Sequence, residues 1–98
     1  MKIKGWDQEY EVKIEKSEYI SNGNLAVSLM CYDDEFNFWE PYGTLTVNFD
    51  EKLPANYAYV DTNNMPNAED FINENKLGEF TGEYKNSGFC WYPLYKFY

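Results

Sequence analysis

Residues 33–40 read DDEFNFWE, which sets the carboxylates of Asp33, Asp34, Glu35 and Glu40 among the rings of Phe36, Phe38 and Trp39. Three kinds of chemistry draw on such a stretch. Paired carboxylates serve as acid and base in glycoside hydrolysis, clustered carboxylates ligate Ca2+ or Mg2+, and rings beside charges form the centre of protein-binding surfaces. The run has neither the ligand spacing nor the mid-loop glycine of a calcium loop. The chain contains no His, so every His-dependent triad is excluded. Its two cysteines, Cys31 and Cys90, are isolated, whereas zinc takes clustered Cys and His. Cys90 sits among aromatics in GFCWYP with no cation beside it, a poor setting for a nucleophile. Phosphate-cradling glycine motifs are missing, and a chain this short offers little room for a substrate cleft. The residues therefore point away from an enzyme, a metal site and a cofactor.

A binding surface remains. Seventeen acids oppose eight lysines, giving a net charge of −9 with no Arg. Nucleic-acid phosphates and anionic membranes both require basic side chains, so neither is an expected partner. A basic protein is, because the field of such a chain accelerates its capture. Acids and rings together suit a groove that ordinarily holds nucleic acid, the acids standing where phosphates lie and the rings where bases stack. The candidate contact residues are Asp33, Asp34, Glu35, Phe38, Trp39 and Glu40. Glu9, Glu11 and Glu15 join them from one face of an early strand, where alternate residues lie ~6.5–7 Å apart, near the spacing of successive phosphates. Blander readings stand beside this one. Acidity keeps an aromatic-rich domain in solution, Glu9, Glu11 and Glu15 suit an ordinary solvated face, and residues 33–40 suit a connection whose rings tuck into the core. Exposure of Phe38 and Trp39 decides between the last reading and a contact surface.

The elements that must position these residues are mostly strands. The 98 residues make one domain. Tyr10, Val12 and Ile14 alternate with Glu9, Glu11, Lys13 and Glu15, and Leu25, Val27, Leu29 and Cys31 share one face of the next run. Asn22-Gly23 reads as the turn between them. TLTVNF at 44–49 is the cleanest alternation in the chain, and NYAYVD at 56–61 reads as a further strand. Pro66, an acidic first turn and an Ala68, Phe71, Ile72 stripe predict a helix over about 66–76, with Gly78 as its stop. Residues 79–97 read as a terminal hairpin, with Pro93 marking an edge or a bulge. The sum is an α+β fold: a twisted antiparallel sheet of about five to seven strands with one helix packed on it. No run reaches the length of a membrane span and no secretory apolar region opens the chain, so a cytoplasmic protein with reduced thiols is expected.

Three segments, EPYGTLTVNF, LPANYAYVDTNNMPNAEDFINENKLGEFTG and SGFCWYPLYKF, resemble a family of small acidic proteins with an uncharacterised domain. That family is carried by phages, plasmids and conjugative elements of Firmicutes and related gut bacteria. The resemblance covers roughly residues 40–97 and brings no catalytic residues with it. It implies a counter-defence setting in the cytoplasm of a bacterial host cell: a non-enzymatic, anti-CRISPR-like inhibitor acting on a host nuclease, a CRISPR effector such as Cas9. Two other readings stay open, a small-molecule binder for a signalling nucleotide and a structural accessory protein of a mobile element. Asp61, Thr62 and Asn63 have the residue types of a turn that leads into a helix.

Overall fold

The computed structural model describes residues 1–5 and 7–98. Along the chain run β1 (Lys2–Lys4), β2 (Glu9–Glu18), β3 (Leu25–Asp33), β4 (Phe38–Thr44), β5 (Thr46–Val47), β6 (Tyr57–Val60), α1 (Ala68–Glu74), β7 (Gly78–Ser87) and β8 (Cys90–Phe97). The α+β class with a single helix agrees with the sequence pattern. The strands, however, divide into two four-stranded antiparallel sheets, β1-β2-β3-β4 and β5-β6-β8-β7, in place of one larger sheet. Among the described residues no helix is long and apolar enough to cross a membrane.

The division falls inside TLTVNF. Thr44 ends β4 and Thr46 begins β5, while Leu45 between them is fully buried. Its N–H donates to the Val27 carbonyl at 2.8 Å and its own carbonyl accepts from the Asp61 N–H at 2.8 Å, so one residue ties the first sheet to the second. The buried Thr46 hydroxyl accepts the Val27 N–H at 3.2 Å and lies 2.9 Å from the Tyr19 hydroxyl. A regular strand would send Leu45 and Thr46 to opposite faces, one of them wet. The switch of sheets buries both, and hydrogen bonds keep the polar one satisfied.

Register assigns the faces of the first sheet. Val12 pairs with Cys31 and Ile14 with Leu29, and this side faces a core of Val27, Leu29, Leu45, Val60, Ala68 and Ile72. Lys13 pairs with Met30 on the opposite side, which neither the helix nor the second sheet covers. Each large apolar side chain in that core contributes ~1.5–3 kcal/mol over leaving it exposed.

Asp61 shapes the entry to α1. Its carboxylate accepts the Asn64 backbone N–H at 3.1 Å and the Asn64 amide at 2.9 Å, and its carbonyl accepts the Met65 N–H. Asn67 precedes the helix, but its amide donates to the Lys4 carbonyl and so fastens the helix to β1. The helix ends earlier than Gly78 would dictate: Lys76 takes the left-handed conformation with φ 53. Gly78 serves β7 instead, where a Cβ would stand 2.7 Å from the Lys96 carbonyl oxygen. Pro93 does mark a bulge. Opposite it, β7 gains residues between Phe80 and Tyr84, with Gly82 at φ 91.

Candidate functional site

Residues 33–40 form the hairpin between β3 and β4. Asp33 faces Phe38, Tyr32 faces Trp39 and Cys31 faces Glu40 across the ladder. The Asp33 carboxylate accepts the N–H groups of Glu35 and Phe36 at 2.9 and 3.3 Å, the bonding of an Asx turn. Asn37 closes the turn at φ 57 while its side-chain oxygen accepts from the Tyr32 hydroxyl at 3.2 Å. Asp33 is therefore committed to folding the turn. Asp34 and Glu35 stand free at its tip, beside Phe36 at 66% and Phe38 at 47% exposure. The two phenyl rings lie 6.3 Å apart.

Trp39 is turned the other way. With Tyr32 and Lys13 it lies on the uncovered side of the first sheet, half-buried, its ring edge-on to Tyr32 at 5.2 Å and under the Lys13 ammonium at 4.6 Å. Glu11 and Glu15 share that side. Glu11 is already occupied: the N-terminal ammonium and Lys2 each reach it at 3.2 Å, and the Lys2 bond holds its carboxyl below the usual range. Glu9 pairs with Lys4 across the ladder. Apart from Asp33, which folds the turn, the eight remaining candidate residues fall on two faces. Asp34, Glu35, Phe38 and Glu40 come together with Phe36, whereas Trp39, Glu9, Glu11 and Glu15 lie among lysines.

Two grooves test whether the protein holds a small anion. The larger, of ≈ 810 Å3, is lined by Tyr42, Gly43, Asp61, Asn64 and Met65 and has Lys4 as its single cation. A smaller one of ≈ 370 Å3 has Lys2 and Lys4, but Glu9, Asp70 and Glu74 face them. Neither presents the excess of positive charge that a nucleotide phosphate requires. Among the described residues no group of three His, Cys, Asp or Glu is placed to hold a metal ion. Burial, and then the carboxylates of Glu40, Asp33 and Asp34, push the Cys31 thiol up, which suppresses the thiolate a nucleophile needs.

Two tyrosines are held in their protonated form by the fold. Burial and the carboxylate of Glu69, 2.8 Å from its hydroxyl, push Tyr95 up to about 12 from 10.0. Burial and Glu51, at 3.0 Å, do the same for Tyr59. The folded protein holds these protons while the unfolded chain gives them up. The contribution of these two tyrosines is therefore intact below pH 10 and falls as pH rises from 10.0 toward about 12. A series of thermal melts over that interval is expected to show the fall, and Tyr59→Phe with Tyr95→Phe to flatten it.

The pattern of residues did not anticipate the aromatic surface of the terminal hairpin. Phe89, Trp91, Tyr95 and Phe97 share one parity, yet only Tyr95 and Phe97 are buried. Strand β6 pairs with β8 only at Leu94–Lys96, so the outer part of the β7–β8 hairpin is a two-stranded ribbon. The parity was legible; where the sheet stops beneath it was not.

Compared with known proteins, residues 13–98 match a family model described as a domain of unknown function, DUF4313. No curated protein and no solved structure matches the chain. The match runs from within β2 to the C-terminus, so the 33–40 hairpin and the whole second sheet lie inside the family's span, while β1 and the start of β2 precede it. On that extent of agreement, the chain belongs to the DUF4313 family.

Proposed function

We propose that this protein is a non-enzymatic inhibitor that docks on the basic nucleic-acid-binding surface of a partner protein through the β3–β4 hairpin. The observation that carries the reading is the joint exposure of Asp34, Glu35, Phe36 and Phe38 on one ordered turn. Carboxylates at that tip stand in for phosphates, and the two phenyl rings offer the faces that unstacked bases would. The net charge of −9 steers a basic partner toward it.

The resemblance to proteins of phages and conjugative elements narrows the partner to a nuclease of bacterial host defence, a CRISPR effector such as Cas9, and the setting to the host cytoplasm. The two grooves favour this reading over a nucleotide binder, since carboxylates line them as heavily as lysines do. Competition tests it: the protein and duplex DNA are expected to exclude one another from the same purified nuclease.

A further inference from the structure

We infer that the overhanging β7–β8 hairpin is a second docking surface, one that takes an arginine- or lysine-bearing extended segment of a basic partner. Phe80, Tyr84 and Trp91 are 41%, 54% and 62% exposed. The ladder sets Phe80 opposite Tyr95, Tyr84 opposite Pro93 and Asn86 opposite Trp91, so these rings line one side of the ribbon. Phe80 lies 5.1 Å from Tyr84 and 5.7 Å from Tyr95, which continues the buried aromatic row outward from the core.

The charges nearby select the occupant. Two surface rings elsewhere each hold a lysine of this chain: Lys13 lies 4.6 Å over Trp39, and Lys85 lies 5.3 Å over Phe49 while reaching Glu51 at 3.4 Å. Among the described residues no ammonium lies over Phe80, Tyr84 or Trp91. Glu69, hydrogen-bonded to the Tyr95 hydroxyl at 2.8 Å, adds a carboxylate at the inner end of the row. Ring faces attract cations, guanidinium above all because it also stacks. A second copy of the chain would bring another −9 of charge to the contact, and an anionic membrane would be repelled as well.

Strand β7 is also an edge of its sheet, so an extended segment can lie along it and place alternate side chains on the rings. The bulge between Phe80 and Tyr84 interrupts regular pairing at the inner end and leaves Tyr84–Ser87 as the straight stretch.

A short arginine homopeptide, a lysine homopeptide and a neutral Gly-Ser peptide serve as probes, followed by calorimetry and by amide shifts in NMR. The arginine peptide is expected to bind most tightly and to shift the amides of Phe80, Tyr84 and Trp91. Tyr84→Ala with Trp91→Ala is expected to weaken it about tenfold, the sum of two modest cation–π contacts. Phe36→Ala, on the other hairpin, is expected to leave the peptide-induced shifts of the Phe80, Tyr84 and Trp91 amides unchanged, so failure here and failure of the β3–β4 reading are separable. Equal affinity of the double variant and the parent would overturn the inference. So would a dimer of the parent that Trp91→Ala dissolves, or binding to anionic vesicles.

Discussion

Replacing Asp34, Glu35 and Glu40 together by lysine is expected to weaken partner binding by more than about a hundredfold, while the melting temperature moves by no more than about 10 °C. The first figure follows from close interfacial charge pairs, each of which couples by ~1.5 kcal/mol or more. The second follows from exposure: all three side chains are solvated, and surface substitutions of this kind change stability by about 0.5 kcal/mol or less. Asp33 is left out on purpose. Its carboxylate holds the Glu35 and Phe36 amides, and reversing it would unmake the turn that presents its neighbours. Titration calorimetry against the partner, with melts run in parallel, checks both halves of the expectation.

The second large effect is on the fold. Leu45→Ala is expected to lower stability by ~2–5 kcal/mol, the range for deleting a buried Leu side chain that leaves a cavity. Set against the ~5–15 kcal/mol that holds a domain of this kind, the loss is a large share of the total. Position 45 makes it severe, because Leu45 is fully buried where the chain passes between sheets and its neighbours on both sides are hydrogen-bonded in place. Ile20→Ala, on a fully exposed side chain, removes as much apolar volume and is expected to shift stability by less than about 0.5 kcal/mol. Urea unfolding of the two variants compares them directly.

Leu45 also marks the limit of what could be read from the chain. Period-two alternation located β2, β3, β6 and β8, since each has one buried face and register then follows from pattern. The same rule made 44–49 one strand, because alternation records which side chains are apolar and is blind to a backbone that changes sheets at Thr44–Thr46. The helix was legible from Pro66 and the Ala68, Phe71, Ile72 stripe, but its stop was not. A lysine accepted the left-handed conformation, and Gly78 was needed for a close approach of strands. In the candidate site, composition identified acids and rings without their faces. Phe38 and Trp39 are adjacent in the chain, so a strand sends them to opposite sides, and Lys13 covers the one that shares its face. The ion pairs that occupy Glu11 depend on where the N-terminus folds back, which no local pattern encodes.

The β3–β4 hairpin and the β7–β8 ribbon have the same build at different ends of the architecture: an ordered antiparallel turn that carries rings no lysine of the chain covers. Lys13 and Lys85 lie over Trp39 and Phe49, whereas among the described residues no ammonium lies over Phe36, Phe38, Phe80, Tyr84 or Trp91. A partner engaging both would gain from their linkage on one rigid domain.

The most direct measurement is competition for a purified host nuclease, guide-loaded Cas9 first, between this protein and duplex DNA at a fixed salt concentration. Mutually exclusive binding is predicted, with the Asp34, Glu35, Glu40 lysine variant unable to displace DNA. A stable ternary complex of nuclease, DNA and this protein, or a variant that displaces DNA as well as the parent does, would contradict the account.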